Sequence, residues 1–272
     1  MSNFKKLRYF FHIGYNGTHY RGWQRQIDAI SIQQVFEENL SLVFKNNITC
    51  IGCGRTDAEV HASQYFFHID VTENWNFDLL SRLNIMLPRD IAVFDIIKVE
   101  ENSHAQFDAN SRTYDYFIHT FKDPFLNELS SLYIERNLDL AKMQTAANLL
   151  KNHNDFRAFC LTPDKGTTTI CNITEANIFC DKNRDKIRFQ FTSNRFLRGM
   201  VRIIVRMLLE IGKGKLSIDE FENYLISKEI KTEQKLAFPQ GLYLSKVTYP
   251  FIDIKQRAEF FAFANSNNWI AV

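Results

Sequence analysis

Apolar positions along the chain switch repeatedly between a period of two and a period of three to four. Leu7, Tyr9, Phe11 and Ile13 alternate with their neighbours and predict a strand. Ser31, with Gln34 three residues on, has the form of a capping box. It opens a predicted helix with Ile32, Val35, Phe36, Leu40 and Val43 on one face. Strands follow near 48–54 and 63–72, then a helix near 76–86 and a strand near 91–100. The element order is βαββαβ.

The second half repeats that order without repeating the sequence. It predicts a strand at 111–120, a helix at 138–151, strands at 171–181 and 186–193, a strong helix at 196–211, a shorter helix at 217–226 and a last strand at 241–249. Apart from one extra helix this is again βαββαβ, the ferredoxin-like arrangement. The expected fold is therefore α+β: two ferredoxin-like halves, a mainly antiparallel sheet with helices on one face, and a cleft between the halves. The reading divides the chain into an N-terminal domain at 1–105, a C-terminal domain at 106–250 and a tail at 251–272. In the tail, Ile254, Ala258 and Phe261 fall on one possible helix face, read as packing or as a subunit contact. The irregular stretches 120–137 and 152–170 are long for connections and are candidates for function or insertion.

Composition narrows the class. The chain has 272 residues, 45% hydrophobic and 24% charged, and its 25 Phe can fill a sizeable core. No apolar run reaches the roughly 18 residues of a membrane helix. Lys5, Lys6 and Arg8 precede Tyr, Phe, His and Gly rather than an apolar core, so no signal peptide is expected. The five cysteines are odd in number and irregular in spacing, which fits reduced thiols in a cytoplasmic protein. Cys50 and Cys53 form a CxxC without a companion pair. They read as small residues of a buried strand rather than as a redox or metal site.

The net charge of +2 does not by itself demand a nucleic-acid partner. Its distribution points further. Residues 184–215 hold nine Lys or Arg against Asp185 and Glu210, a local excess of seven and a candidate phosphate-binding surface. Within the predicted 196–211 helix, Met200, Ile203, Ile204, Met207, Leu208 and Ile211 form an apolar stripe. Arg195, Arg198, Arg202 and Arg206 fall on another face, and Gly212 is a plausible C-cap.

The segment Gly52-Cys53-Gly54-Arg55-Thr56-Asp57-Ala58-Glu59-Val60-His61-Ala62 reads as a strand ending in glycines, a polar loop and the start of another strand. An Asp in such a loop is commonly a turn former. The nearby Arg55 favours an ionised carboxylate, and the glycines permit close approach of a backbone.

This segment resembles the active-site motif of the A-type tRNA pseudouridine synthases, GRTDAGVHA, in eight of nine positions. The resemblance extends over Tyr15 to Gln26, over Asn84 to Val93 with Leu87-Pro88-Arg89-Asp90-Ile91, and over Ser111-Arg112-Thr113-Tyr114-Asp115-Tyr116. Phe196 to Gly212 and Gly241-Leu242-Tyr243-Leu244 continue it, so that ordered matches span residues 9–249. It implies isomerisation of a uridine in the tRNA anticodon stem-loop. The base is detached from its sugar, rotated and rejoined through carbon 5, with no cofactor and no metal.

On this resemblance Asp57 is the catalytic carboxylate. As an ionised group it would attack the sugar carbon, abstract a neighbouring proton or stabilise developing positive charge. Arg55 would pair with Asp57 or fill the gap left by the flipped nucleotide. Tyr114 would stack on the target base, Leu242 would pack on it, and Arg202 would reach Asp57. Arg195, Arg198 and Arg206 would bind the RNA backbone. His61 is read as loop support, and His12, His19, His68, His104, His119 and His153 show no metal-ligand spacing. The implied partners are tRNA and a second copy of the chain, with no membrane. One position departs from the pattern: Glu59 stands where the family has Gly. If Gly serves there for a positive φ, Glu is strained by about 1–2 kcal/mol. Two other readings stay open, a non-catalytic RNA-binding relative and an unrelated ferredoxin-like metabolic enzyme.

Overall fold

The computed structural model describes residues 6–135, 137–165, 168–229, 235–255 and 269–272. They fall into two compact units, one within 1–110 and 244–257, the other within 111–243 and 258–272. Ala258 and Phe261, expected on a helix face of the tail, lie outside the described residues.

The first unit runs β1 (Leu7–Tyr15), α1 (Ile32–Phe44), β2 (Ile51–Gly52), β3 (His61–Val71), α2 (Leu79–Met86) and β4 (Ile91–Val99). β3 pairs antiparallel with both β1 and β2, and β1 pairs antiparallel with β4, giving the order β4-β1-β3-β2. The returning strand β9 (Leu242–Thr248) also lies beside β3. Period-two patterning sends Phe11 and Phe67 to the helical face, where their rings stack at 4.8 Å and Phe36 of α1 and Trp23 close over them. The neighbours Phe10 and Phe66 point the other way and are covered by Tyr249. Both faces of β1 are thus buried, which explains why its sequence is apolar almost throughout.

Local signals set the helix starts. Ser31 accepts from the Gln34 amide at 3.2 Å, but the Gln34 side chain donates to Glu38, so only half of the expected capping box forms. Asp78 caps α2. Asn84 then holds α2 to β4 by bonding both the N–H and the C=O of Val93 at 2.8 Å, standing in for a strand partner.

The second unit runs β5 (Ser111–His119), β6 (Ser131–Leu132), α3 (Leu140–Leu149), β7 (Ile173–Cys180), β8 (Lys186–Ser193), α4 (Met200–Gly212), α5 (Ile218–Ser227) and β10 (Ile270–Ala271). Leu242 and Tyr243 of β9 belong to it as well. The strands lie in the order β10-β7-β8-β5, with antiparallel pairing between those neighbours and β6 parallel to β5. Short 3-10 turns break the stretch 150–165. A complete capping box, Ser217 with Glu220, starts α5.

Two expectations about the long helix are corrected. α4 begins at Met200 and not near 196, because Gly199 takes a left-handed φ of +73° directly before it. Arg195 and Arg198 therefore lie in the preceding loop, and only Arg202 and Arg206 share a helix face. Gly212 is the last helical residue and not the cap. A side chain there would strike the Met143 sulfur of α3, and the left-handed glycine is Gly214, at φ +70°. Gly212 thus lets α3 and α4 approach closely. The apolar stripe packs as expected except for Met207, which is half-buried.

Candidate active site

In the first unit, the loop that carries Asp57 is fixed mostly through its backbone. It leaves β2 at Gly52, where Tyr65 and Trp23 leave no room for a Cβ. The Cys53 N–H donates to Phe66 O at 2.8 Å, and the Tyr65 hydroxyl donates to Gly54 O at 2.6 Å. Thr56 is held twice: its hydroxyl lies 2.8 Å from that of Tyr15, and its carbonyl accepts from the Trp23 N–H at 3.3 Å. The chain then turns, with the Val60 N–H donating to Asp57 O at 3.3 Å. Glu59 is the third residue of this turn and sits at φ +63°, a left-handed position that the sequence fills without glycine. Its N–H donates to Tyr20 O at 3.0 Å.

Residues 15–23 thus form a cradle under the turn. Gly22, at φ +79°, passes so close to Thr56 and Asp57 that any Cβ would collide with the Thr56 carbonyl. The Tyr20 hydroxyl donates to Asp90 Oδ1 at 2.8 Å, and burial together with this carboxylate pushes its pKa up, so that it remains a donor. His61 is buried, and its Nδ1 accepts from the Gly17 N–H at 3.0 Å, anchoring the far end of the loop. The result is a half-buried Asp57 on a backbone with little freedom to move. A carboxylate so presented is pre-organised to meet a ligand without a cost in loop ordering. Arg55 is exposed and makes no ion pair or side-chain hydrogen bond among the described residues.

In the second unit, Tyr114, Tyr116 and Ile118 share one face of β5. Tyr116 and Ile118 are buried, whereas Tyr114, near the strand start, is half-exposed and meets the edge of Phe196 at a centroid distance of 5.1 Å. Arg202, in the first turn of α4, donates from Nε to Ala237 O at 2.7 Å, and its own carbonyl accepts from the Ala237 N–H at 3.1 Å. The next residue is fixed in turn, since Phe238 O accepts from the Tyr116 hydroxyl at 2.8 Å. Burial pushes the Tyr116 pKa up and keeps that hydroxyl a donor. Leu242 follows a 3-10 turn at Pro239–Gly241 and is buried. Gly241 leaves no space for a Cβ, which would come within 2.5 Å of Phe117 O. The residues around Tyr116 therefore tie the Arg202 region to the segment before Leu242.

The basic stretch is less free than its sequence suggests. Arg188 pairs with the fully buried Asp115 at 2.7 Å. Arg206 pairs with Glu210 at 3.0 Å, and Lys213 pairs with Glu135 at 2.6 Å. Arg195 and Arg198 make no ion pair among the described residues, and Arg198 is exposed. Its backbone is held by the Leu161 N–H, which donates to Arg198 O at 3.1 Å.

The five cysteines are buried free thiols. Burial pushes the Cys171 thiol up to about 12, which leaves it unreactive. Among the described residues no group of three His, Cys, Asp or Glu could hold a metal ion, and no helix is long and apolar enough to cross a membrane.

Comparison with known proteins supplies the decisive observation. Residues 146–250 match the family model described as tRNA pseudouridine synthase. The tRNA pseudouridine synthase A of Porphyromonas gingivalis is 41% identical over 246 residues, covering 89% of this chain and 97% of that protein. The chain belongs to the tRNA pseudouridine synthase A family. Other relatives agree: the tRNA pseudouridine synthase A of Azobacteroides pseudotrichonymphae is 39% identical, with 89% and 97% of the two chains covered. That of Exiguobacterium sibiricum is 33% identical, with 88% and 95% covered. The family is one of isomerases, and the shared length spans both units.

The cradle was not legible in the sequence as a cradle. Residues 15–26 stood out only by their resemblance to the family. The paired aromatic hydroxyls and close-packed glycines of that stretch are the signal that it supports another segment.

Proposed function

We propose that this chain converts uridine to pseudouridine in the anticodon stem-loop of tRNA, with Asp57 as the catalytic carboxylate. The observation that carries the reading is the half-buried Asp57 on its fixed turn, inside the GRTDAEVHA segment of a chain that belongs to this family. In this reading the base leaves the stack, which costs a few kcal/mol. Stacking on the half-exposed Tyr114 returns about 1–3 kcal/mol. Leu242 packs on the base, Arg202 reaches the carboxylate, and the exposed Arg55 fills the space the nucleotide leaves. Arg195, Arg198 and Arg206 take phosphates.

The strand order β4-β1-β3-β2 supports a ferredoxin-like first half. We assign the domains as 1–105, 106–250 and a tail at 251–272, with most of β9, at the end of the second domain, returning to lie beside β3 within the first compact unit. A cytoplasmic homodimer that needs no cofactor completes the proposal.

Tritium release from tRNA carrying 5-tritiated uridine tests it, because the proton on carbon 5 must leave when that carbon bonds to the sugar. Release by the unmodified protein and none by Asp57→Ala supports the reading. No release by either protein, with tRNA still bound, favours the non-catalytic RNA-binding relative.

A further inference from the structure

Glu59 combines three properties. It occupies a left-handed backbone position at φ +63°, which L side chains adopt at a cost. It is exposed and makes no ion pair or side-chain hydrogen bond among the described residues. It also sits in the same four-residue turn as Asp57, with its N–H pinned to Tyr20 O at 3.0 Å. The pinned N–H keeps the turn in place whatever side chain is present. The carboxylate is therefore not needed to build the turn, and no cation among the described residues neutralises it.

We propose that Glu59 is a specificity-determining residue, a fixed negative charge that penalises RNA backbone lying across the Asp57 turn. The inference rests on the reading of Asp57 as the catalytic carboxylate. RNA carries a charge at every phosphate, so a carboxylate held at this turn repels any strand that lies along it. An extruded nucleotide presents its uncharged base and sugar to the turn and keeps its phosphates further away. The penalty thus falls mainly on RNA that covers the loop without delivering a nucleotide into it. Discrimination by an unpaired charge facing the wrong partner is a general device.

The test uses the full chain with tRNA and with single-stranded oligouridylate as the two RNAs. Glu59→Gln removes the charge and keeps a left-handed non-glycine residue. Glu59→Gly removes the charge and relieves the backbone. At about 0.01 M salt, both variants should bind oligouridylate about two- to five-fold more tightly than the unmodified protein, with a smaller gain for tRNA. The gain should shrink toward unity at about 0.15 M salt, as screening shortens to roughly 8 Å. Equal gains for the two RNAs, a gain that ignores salt, or a gain in Glu59→Gly alone would each overturn the charge role. So would unchanged affinity for both RNAs.

Should Glu59→Gln fail to fold, Glu59→Ser in its place carries the same comparison. The two readings fail separately. Tritium release that depends on Asp57, together with unaltered affinities in the Glu59 variants, sinks this inference alone. Absence of release from the unmodified protein sinks the reading beneath it.

Discussion

The hydroxyls of Tyr15 and Thr56 lie 2.8 Å apart, both buried, and they join the end of β1 to the residue before Asp57. The bond spans 41 positions of sequence, so it fixes the loop by tertiary and not local structure. Tyr15→Phe leaves the buried Thr56 hydroxyl without this partner. A loss of about 1–2 kcal/mol in unfolding free energy is expected, measured by urea denaturation. Tritium release should slow as well, because the turn gains freedom. Unaltered stability would show that water replaces the missing hydroxyl.

A sharper effect is expected at Gly22. Its φ of +79° alone disfavours a side chain, and a Cβ would collide with the Thr56 carbonyl. Gly22→Ala should cost more than about 2 kcal/mol and push the Asp57 turn out of place. Thermal unfolding and single-turnover kinetics measure the two effects. A variant with normal melting and normal turnover would mean that the cradle is softer than its packing indicates.

Much of the fold is written in simple periodicity. The alternation at Leu7–Ile13 and the apolar stripe of α4 each predicted an element that forms, because the spacing of apolar positions is a local property of the sequence, although β1 is buried on both faces and α4 on one. The ends of elements were harder to read. α4 starts at Met200 because Gly199 turns left-handed against Leu161, an approach that the spacing of the arginines does not encode. The basic excess at 184–215 was visible, but its partial neutralisation was not. Asp115 and Glu135, which pair with Arg188 and Lys213, lie far away in sequence. The Asp57 segment was legible only through its resemblance to a family. By composition alone it is a polar turn.

Those pairings rank the arginines. Arg198 is exposed and unpaired among the described residues, whereas Arg206 already shares its charge with Glu210. Arg198→Ala should weaken tRNA binding and reduce the salt slope by about 0.7–0.9 for each phosphate that the guanidinium neutralises. Arg206→Ala should reduce it less. Equal slopes in Arg198→Ala and the unmodified protein would show that Arg198 does not touch the RNA.

Stability should fall in mild acid through His68. Its buried ring stacks on Phe10 at 5.7 Å, and burial, reinforced by the Arg8 cation, lowers its pKa to about 4. In the unfolded chain a histidine titrates near 6.5. Between these values the unfolded state binds the extra proton. The contribution is therefore complete above about pH 6.5 and is lost as pH falls toward about 4, by up to about 3 kcal/mol. Asp70, held below the ordinary range against its burial by bonds from Arg8 and Lys6, keeps its full contribution above about pH 4 and loses it only at lower pH. Urea midpoints across this window measure the slope. His68→Gln, which keeps an acceptor for the Ala105 N–H, should flatten it.

In the proposed reading, the packing of Tyr114 against Phe196 bears on how a base is received. Phe196 meets Tyr114 at an interplanar angle of 86°, so it braces one ring with the edge of the other. A ring braced in this way pays little rotamer entropy when a base stacks on it. Phe196→Ala should therefore weaken tRNA affinity several-fold with Tyr114 intact. Tyr114→Ala should remove the stacking itself, about 1–3 kcal/mol. In the double variant the loss from Phe196→Ala should largely disappear, because nothing remains for Phe196 to brace. Affinities of the four proteins for tRNA form the cycle. Strictly additive losses would show that Phe196 acts on RNA directly, and the bracing role would fall.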